Sequence, residues 1–365
     1  MPHSQQQISN VDGGALKDIS NYLKPARFGA TALVGFFPSD PMRALQTVQN
    51  KGFVLKMQPL EHGVQKFFSK NRIRSNFRDD EGKRIQRDID GTFLLLKLLT
   101  PDAFLFLTRD GADYLNNGLL KLLYRARMDV CRLRLTSDEM HAVVAGLLED
   151  VPGRLVVRRS VSKNKRLETT ISYETESLDE LYKKAKDDDA HVHSFAFTLL
   201  DKKQKLVLNA GLNRVGKIVF HDGSFDLFWQ AVVERAARIV KTKKDLLSNR
   251  SRSEQTGEIR PIRIAFGEPV FARPPAIRAF LGALGKIRHG EFTIFHRNPY
   301  LHVSFVDFFD ASEFDIFVDA SDSLIIVPQY KTSLSSLFRF CQKIFENFQE
   351  GVISDDDKTI RVTGA

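Results

Sequence analysis

The apolar residues of this chain come in short runs, each halted by a turn residue or a charge. The longest, Thr92 to Leu107, is interrupted by Lys97, Pro101 and Asp102. That is well short of the ~18 uninterrupted apolar residues a membrane-spanning helix requires. Short apolar runs punctuated this way read as buried strands. Where apolar residues recur at steps of three and four, they read as helices laid on those strands. The alternation predicts an α+β fold of antiparallel sheets backed by helices.

A chain of 365 residues accommodates two or three units at about 100–200 residues each. With 42% hydrophobic and 27% charged residues, it has ordinary globular composition, which argues against global disorder. Residues 1–150 read as an N-terminal α/β region with a loose start over 1–14. A helix is expected over Pro41–Gln49, capped by Ser39 or Asp40, and a polar basic stretch over Lys66–Asp88. Strands follow at Phe93–Leu99 and Ala103–Leu107, then a helix Ala112–Arg125 with Leu115, Leu119, Leu122 and Leu123 on one face. A strand Asp129–Thr136 leads to a helix starting at Ser137, where Met140 stands in place of the Glu of a capping box.

Residues 151–247 read as a middle α+β unit. Strands Arg154–Ser162 and Arg166–Thr175 flank a hairpin tip at Lys163-Asn164-Lys165, and Ser177 caps a helix Leu178–Lys186. Strands Ala190–Leu200, Gln204–Asn209 and Arg214–His221 precede a long helix ending at Leu247. Residues 248–257 (SNRSRSEQTG) lack apolar period and read as a linker or exposed loop. Residues 258–350 read as a C-terminal α+β unit: strand Ile259–Phe266, helix Ala276–Leu284 behind Pro274 and Pro275, then strands Glu291–Arg297, Leu301–Phe308, Phe314–Asp319 and Leu324–Val327. A last helix from Ser333 carries Leu334, Leu337, Phe338, Cys341, Ile344, Phe345 and Phe348 on one stripe. Residues 351–365, with Asp355, Asp356 and Asp357, read as an acidic tail.

The middle and C-terminal units thus share an order of strand, helix, several strands and a long helix. That order resembles the TATA-binding-protein-like topology, a curved antiparallel sheet backed by helices. The resemblance lies in element order alone, and folds of this kind host unrelated functions.

No catalytic motif is complete. Gly211 to Lys217 has the GxxxxGK spacing of a phosphate loop, but Ile218 stands where Ser or Thr would hold magnesium, and a strand follows instead of a helix. Ser160-Val-Ser-Lys163 has SxxK spacing in a strand and not at a helix start. His191 and His193 share a strand face, which reads as a pair of hydrogen-bonded histidines. His302-Val-Ser304 lacks the second copy that paired acid–base chemistry needs. Cys131 and Cys341 are far apart and in no metal-type spacing. No cofactor or metal is expected. The carboxylates Asp307, Asp310, Glu313, Asp315 and Asp319 form the best enzymatic alternative, a magnesium-dependent nuclease.

Charge gives the remaining signal: net +9 with a pI near 9.4, a balance that attracts polyanions. The positive residues concentrate in three places: Arg72, Arg74 and Arg78; Arg158, Arg159, Lys163, Lys165 and Arg166; and Arg235, Arg238, Lys241, Lys243, Lys244, Arg250 and Arg252. The expected function is phosphate-backbone binding of DNA or RNA without catalysis, provided these segments converge on one face. The other alternative is a protein-interaction or self-assembling scaffold, suggested by 29 Phe residues, among them Phe308 and Phe309. A polar N-terminus and two cysteines suggest a cytoplasmic protein with no membrane partner.

Overall fold

The computed structural model describes Ile19, Tyr22 and residues 29–49, 52–78, 80–164, 169–173, 175, 177–252, 258–298, 300–356 and 360–361. The chain is α+β with antiparallel sheets. No helix among these residues is long and apolar enough to cross a membrane.

The first run of elements is β1 (Ala30–Phe36), α1 (Pro41–Gln49), β2 (Phe53–Pro59), β3 (Gln65–Arg78), β4 (Arg84–Lys97), β5 (Ala103–Thr108) and α2 (Leu120–Arg125), which continues a π-helical turn over Tyr114–Leu119. The second is β6 (Cys131–Arg132), α3 (Ser137–Asp150), β7 (Arg154–Asn164), β8 (Thr170–Ile171), α4 (Leu178–Asp187), β9 (Ala190–Leu200), β10 (Leu206–Asn213), β11 (Lys217–Gly223) and α5 (Glu234–Leu247). The third is β12 (Glu258–Ile259), β13 (Ile262–Ala265), α6 (Pro274–Gly285), β14 (Gly290–His296), β15 (Leu301–Asp307), β16 (Ser312–Val318), β17 (Ser323–Pro328), α7 (Leu334–Asn347), β18 (Val352–Asp355) and β19 (Ile360–Arg361).

Strands on both sides of residue 150 share one 11-stranded sheet, ordered β2-β3-β4-β5-β1-β11-β10-β9-β7-β8, with β6 also on β1. A second sheet is ordered β14-β15-β16-β17-β13-β18. The first and third runs therefore match. In each, a strand leads through a helix into a four-strand meander, and that first strand then lies beside the meander's last.

The large sheet is covered on both faces because its strands alternate. On β1, Leu33 faces the cluster of α1 and α2 with Leu45, Phe93 and Leu119, while Ala32, Val34 and Phe36 face the cluster of α3 and α5 with Trp229 and Val240. Helix α7 is wedged between the two sheets. Phe338 meets Phe36 edge-on at 5.1 Å, and Phe340 meets Phe305 and Phe314 at 5.2 and 4.8 Å. One continuous core thus spans both sheets, which explains why the stripe on α7 is so apolar.

Several local expectations are corrected. The basic stretch Lys66–Asp88 is mostly strand, covering nearly all of the 14-residue β3 and the start of β4. Its exposed residues alternate with buried Phe67, Ser69, Asn71 and Ile73, so no continuous apolar run marked it. Helix α3 is capped one residue earlier than expected, by a full capping box: Thr136 accepts from the Glu139 amide, and Glu139 accepts from the Thr136 amide. The strand expected over Asp129–Thr136 pairs only at Cys131–Arg132. Arg260-Pro261 splits the strand expected at Ile259–Phe266 into β12 and β13. The tail begins with an edge strand, β18, on β13. Of the expected linker, Ser248–Arg252 are described and anchored. Arg250 is buried and donates to the carbonyls of Leu246, Arg260 and Pro261 and to Asp355. Residues 253–257, like 1–14, Lys165, Arg166 and Asp357, lie outside the described residues.

Candidate functional site

The segment joining α2 to α3 includes Val130-Cys-Arg-Leu-Arg-Leu135. Its period of two sends Cys131, Leu133 and Leu135 into the core, so Arg132 and Arg134 emerge together on the opposite face. Across from them runs the polar stripe of α7: Arg339, Gln342, Lys343 and Glu346, spaced at three and four residues. Gln342 Nε2 donates to the Arg132 carbonyl at 3.0 Å, and Arg339 Nη1 donates to the Arg127 carbonyl at 3.2 Å. These bonds stitch the helix to the segment without using the guanidinium of Arg132.

Between the two walls lies a cavity of about 450 Å³, closed on a third side by Lys286, Arg288 and His289 and by Phe309 from the turn after β15. Seven cationic side chains line it: Arg127, Arg132, Arg134, Lys286, Arg288, Arg339 and Lys343. Asp307 is the one carboxylate among the lining residues. It is already engaged, accepting from Arg339 Nη2 at 2.7 Å and from Ser336 Oγ at 2.9 Å. A second cavity of about 400 Å³ shares Arg134, Lys286 and Gln342 with the first, and continues past Arg214 to His191, His193 and Lys163. Glu346 and Glu350 stand on its wall.

Burial alone pushes the Arg132 guanidinium down to about 10. Arg134, which meets Glu346, is pushed to about 10 by burial and then by repulsion from Arg132 and Arg214. Arg127 is lowered, chiefly by burial, and Lys343 by burial with repulsion from Arg134 and Arg288. Arginine keeps its proton at neutral pH. Arg339 is met by Asp307 and Asp310, at 2.7 and 3.6 Å, and Arg134 and Lys343 share Glu346, so the charge these carboxylates leave over rests on Arg127, Arg132 and Arg288. An anion supplies what is missing, with charge-assisted hydrogen bonds to a planar fork.

Aromatic rings stand at the mouth. The Arg127 guanidinium lies 4.3 Å from the Tyr124 ring centre and 3.9 Å from that of Phe309. The His289 ring lies 4.3 Å from Phe309. Arg127 Nε is buried without a hydrogen-bond partner.

Of the basic residues singled out from sequence, only Lys163 lines this cleft; Asp307, Phe309, His191 and His193, singled out on other grounds, line it too. The structure does not bring the three basic segments to one face. Six strands separate β3, with Arg72, Arg74 and Arg78, from β7, with Arg158 and Arg159, a distance of about 30 Å across the sheet. All five of these arginines are exposed. Arg72 pairs with Asp88 at 3.0 Å, and Arg158 donates to Thr198. The third segment is largely consumed by acids: Arg235 by Asp150 at 3.0 Å, Lys243 by Glu139 at 2.7 Å, Lys244 by Asp102 at 2.8 Å, and Lys241 and Arg250 by Asp245 and Asp355. Arg238 is exposed, and Arg252 sits over the Tyr330 ring at 4.6 Å.

The acids at 307–319 do not gather into one cluster. Asp307 and Asp310 both face Arg339, at 2.7 and 3.6 Å, Asp310 also accepts from Ser333 Oγ, and Asp315 accepts from Gln329 on another face. Among the described residues, no three His, Cys, Asp or Glu side chains are placed to hold a metal ion. The GxxxxGK segment forms the turn between β10 and β11. Gly216 there has φ +74°, and a Cβ would sit 1.9 Å from the Leu133 carbonyl oxygen. No protein-family model matches the chain, and no curated protein matches it.

The arginines that matter most were thus hidden in a strand and a helix recognised for their apolar residues. The signal was the complementary one: what alternates with Cys131, Leu133 and Leu135, and what fills the gap in the stripe of α7.

Proposed function

We propose that the protein binds nucleic acid, gripping phosphates in the cleft between the 127–136 segment and α7. The observation that carries this reading is Arg132, a half-buried guanidinium that meets no carboxylate among the described residues and lines a cavity with six further cations. Leaving such a charge unpaired is costly, so its retention is best explained by a ligand that completes it. Phosphate fits the fork geometry of arginine, and a chain of phosphates fits the succession from Arg132 through Arg134 to Lys163. Net charge +9 favours encounter with a polyanion, and the exposed arginines on β3 and β7 add to that long-range field.

Titration of labelled oligonucleotides at low and at physiological salt tests the reading. Tight binding that weakens steeply with salt is expected. No binding at low salt overturns it.

A further inference from the structure

If the cleft binds nucleic acid, its geometry points to a narrower ligand, and the inference rests on that reading. We propose that the cleft takes a single strand, with a base stacked at the Tyr124–Phe309 mouth and the backbone running past Arg132 and Arg134 toward Lys163.

Three observations carry this. First, the two cavities are contiguous but small, about 450 and 400 Å³, sharing Arg134 as a common wall. Each is in the range that holds one compact organic group. A strand can be drawn through them one nucleotide at a time, whereas a duplex presents both strands together and stays outside. Second, the rings lie where the desolvated charge begins. Tyr124 is 51% exposed, and Arg127 is already stacked against both it and Phe309. Arg127 lies over one face of each ring and His289 packs on Phe309, so an unpaired base stacks on the exposed side of Tyr124, in any sequence. Third, cations outnumber carboxylates in the first cavity, seven side chains to Asp307 alone. Arg132 and Arg134 project from one face of one extended segment, about 7 Å apart. That arrangement meets a backbone repeating its charge along a line.

Recognition is accordingly of two kinds. Phosphates are held by the arginines, and one base is held by the rings. Selectivity for single strands comes from the need to present a base free of its partner.

The test uses the full-length protein and four labelled probes: a single strand, a blunt hairpin duplex with the same number of phosphates, an abasic single strand of equal length, and linear polyphosphate. Variants are Tyr124→Leu and Phe309→Leu, which remove a ring, and Arg132→Gln, which removes a charge. The expected order is single strand first, with the duplex and the abasic strand each weaker by about 5- to 100-fold, the worth of one base stack. Tyr124→Leu should erase the preference over the abasic strand while leaving polyphosphate binding unchanged. Arg132→Gln should weaken every probe. Because Tyr124 is largely exposed, its replacement does not endanger the fold, and the result stands even should Phe309→Leu fail to fold.

If duplex and abasic probes bind as well as the single strand, and Tyr124→Leu changes nothing, the single-strand inference is overturned. An accompanying loss in Arg132→Gln would leave the cleft as a phosphate site. If Arg132→Gln binds every probe as the wild type does, the cleft reading itself fails, and this inference with it.

Discussion

The guanidinium of Arg214, in the turn between β10 and β11, meets the Glu350 carboxylate, just beyond α7, at 2.7 Å. Glu350 also accepts from the Ser137 amide at 3.0 Å, and Arg214 Nη2 donates to the Phe345 carbonyl at 2.9 Å. The pair closes the seam between the two sheets, with both side chains largely out of water. It is the neutralised counterpart of Arg132, which is half-buried and meets no carboxylate among the described residues.

Removing one member of this pair should show how strongly the seam depends on it. Glu350→Ala leaves Arg214 buried and uncompensated and is expected to cost about 3–5 kcal/mol. Glu350→Gln keeps an acceptor for the Ser137 amide and should cost less. Urea unfolding of the two variants checks the order. Burial raises the Glu350 carboxyl above its usual value, so the folded chain holds this proton more tightly than the unfolded chain. The favourable linkage is complete below the unfolded value and is lost as pH rises through the raised one. Glu350→Gln should remove that contribution to the pH dependence.

His193 gives the opposite slope. Burial, with Lys163 and Arg214 nearby, lowers its imidazole from 6.5 to about 4. The unfolded chain therefore takes up a proton first as pH falls. Stability tied to the neutral ring is present above 6.5 and is lost between there and about 4. His193→Gln should flatten the stability profile in that window, read as the unfolding midpoint at pH 7 and at pH 4.5.

Arg132→Gln should separate stability from binding. Replacing a half-buried charge that meets no carboxylate among the described residues relieves part of its desolvation cost, so the variant is expected to be at least as stable as the wild type while binding falls. A thermal melt beside a titration decides it. A variant both less stable and binding-competent would mean that Arg132 serves the fold.

Arg72, Arg74 and Arg78 offer a contrast. They are exposed on β3, and Arg72 is already paired with Asp88. Replacing all three with Gln should slow association modestly and leave dissociation nearly unchanged, which stopped-flow mixing resolves.

The architecture was largely legible because period two and period 3.6 survive in the apolar residues. Helices α1, α4 and α7 fall within two residues of where the pattern put them, and Ser177 caps as expected, while Ser333, expected as the first helical residue, is the cap of α7. The hairpin of β3 and β4 was not, because apolar residues are few over its outer part: Ile85 is exposed, and Ile89 is the first buried residue of β4. The cleft was least legible. Runs of charge stand out in a sequence, yet such runs tend to be solvated or paired, as Lys243 and Arg250 are. The cleft arginines are spread over Arg127–Arg134, Arg288 and Arg339, the first and last more than two hundred residues apart. Only the wedging of α7 between the sheets brings them together.

The central claim is that Arg132 and its neighbours hold phosphates in the cleft. It is tested most directly by measuring oligonucleotide affinity across a salt series for the wild type and Arg132→Gln. The account predicts a steep wild-type dependence, and a variant that binds more weakly with a slope shallower by about 0.7 for each single-strand phosphate that Arg132 neutralises. Superimposable curves would contradict it.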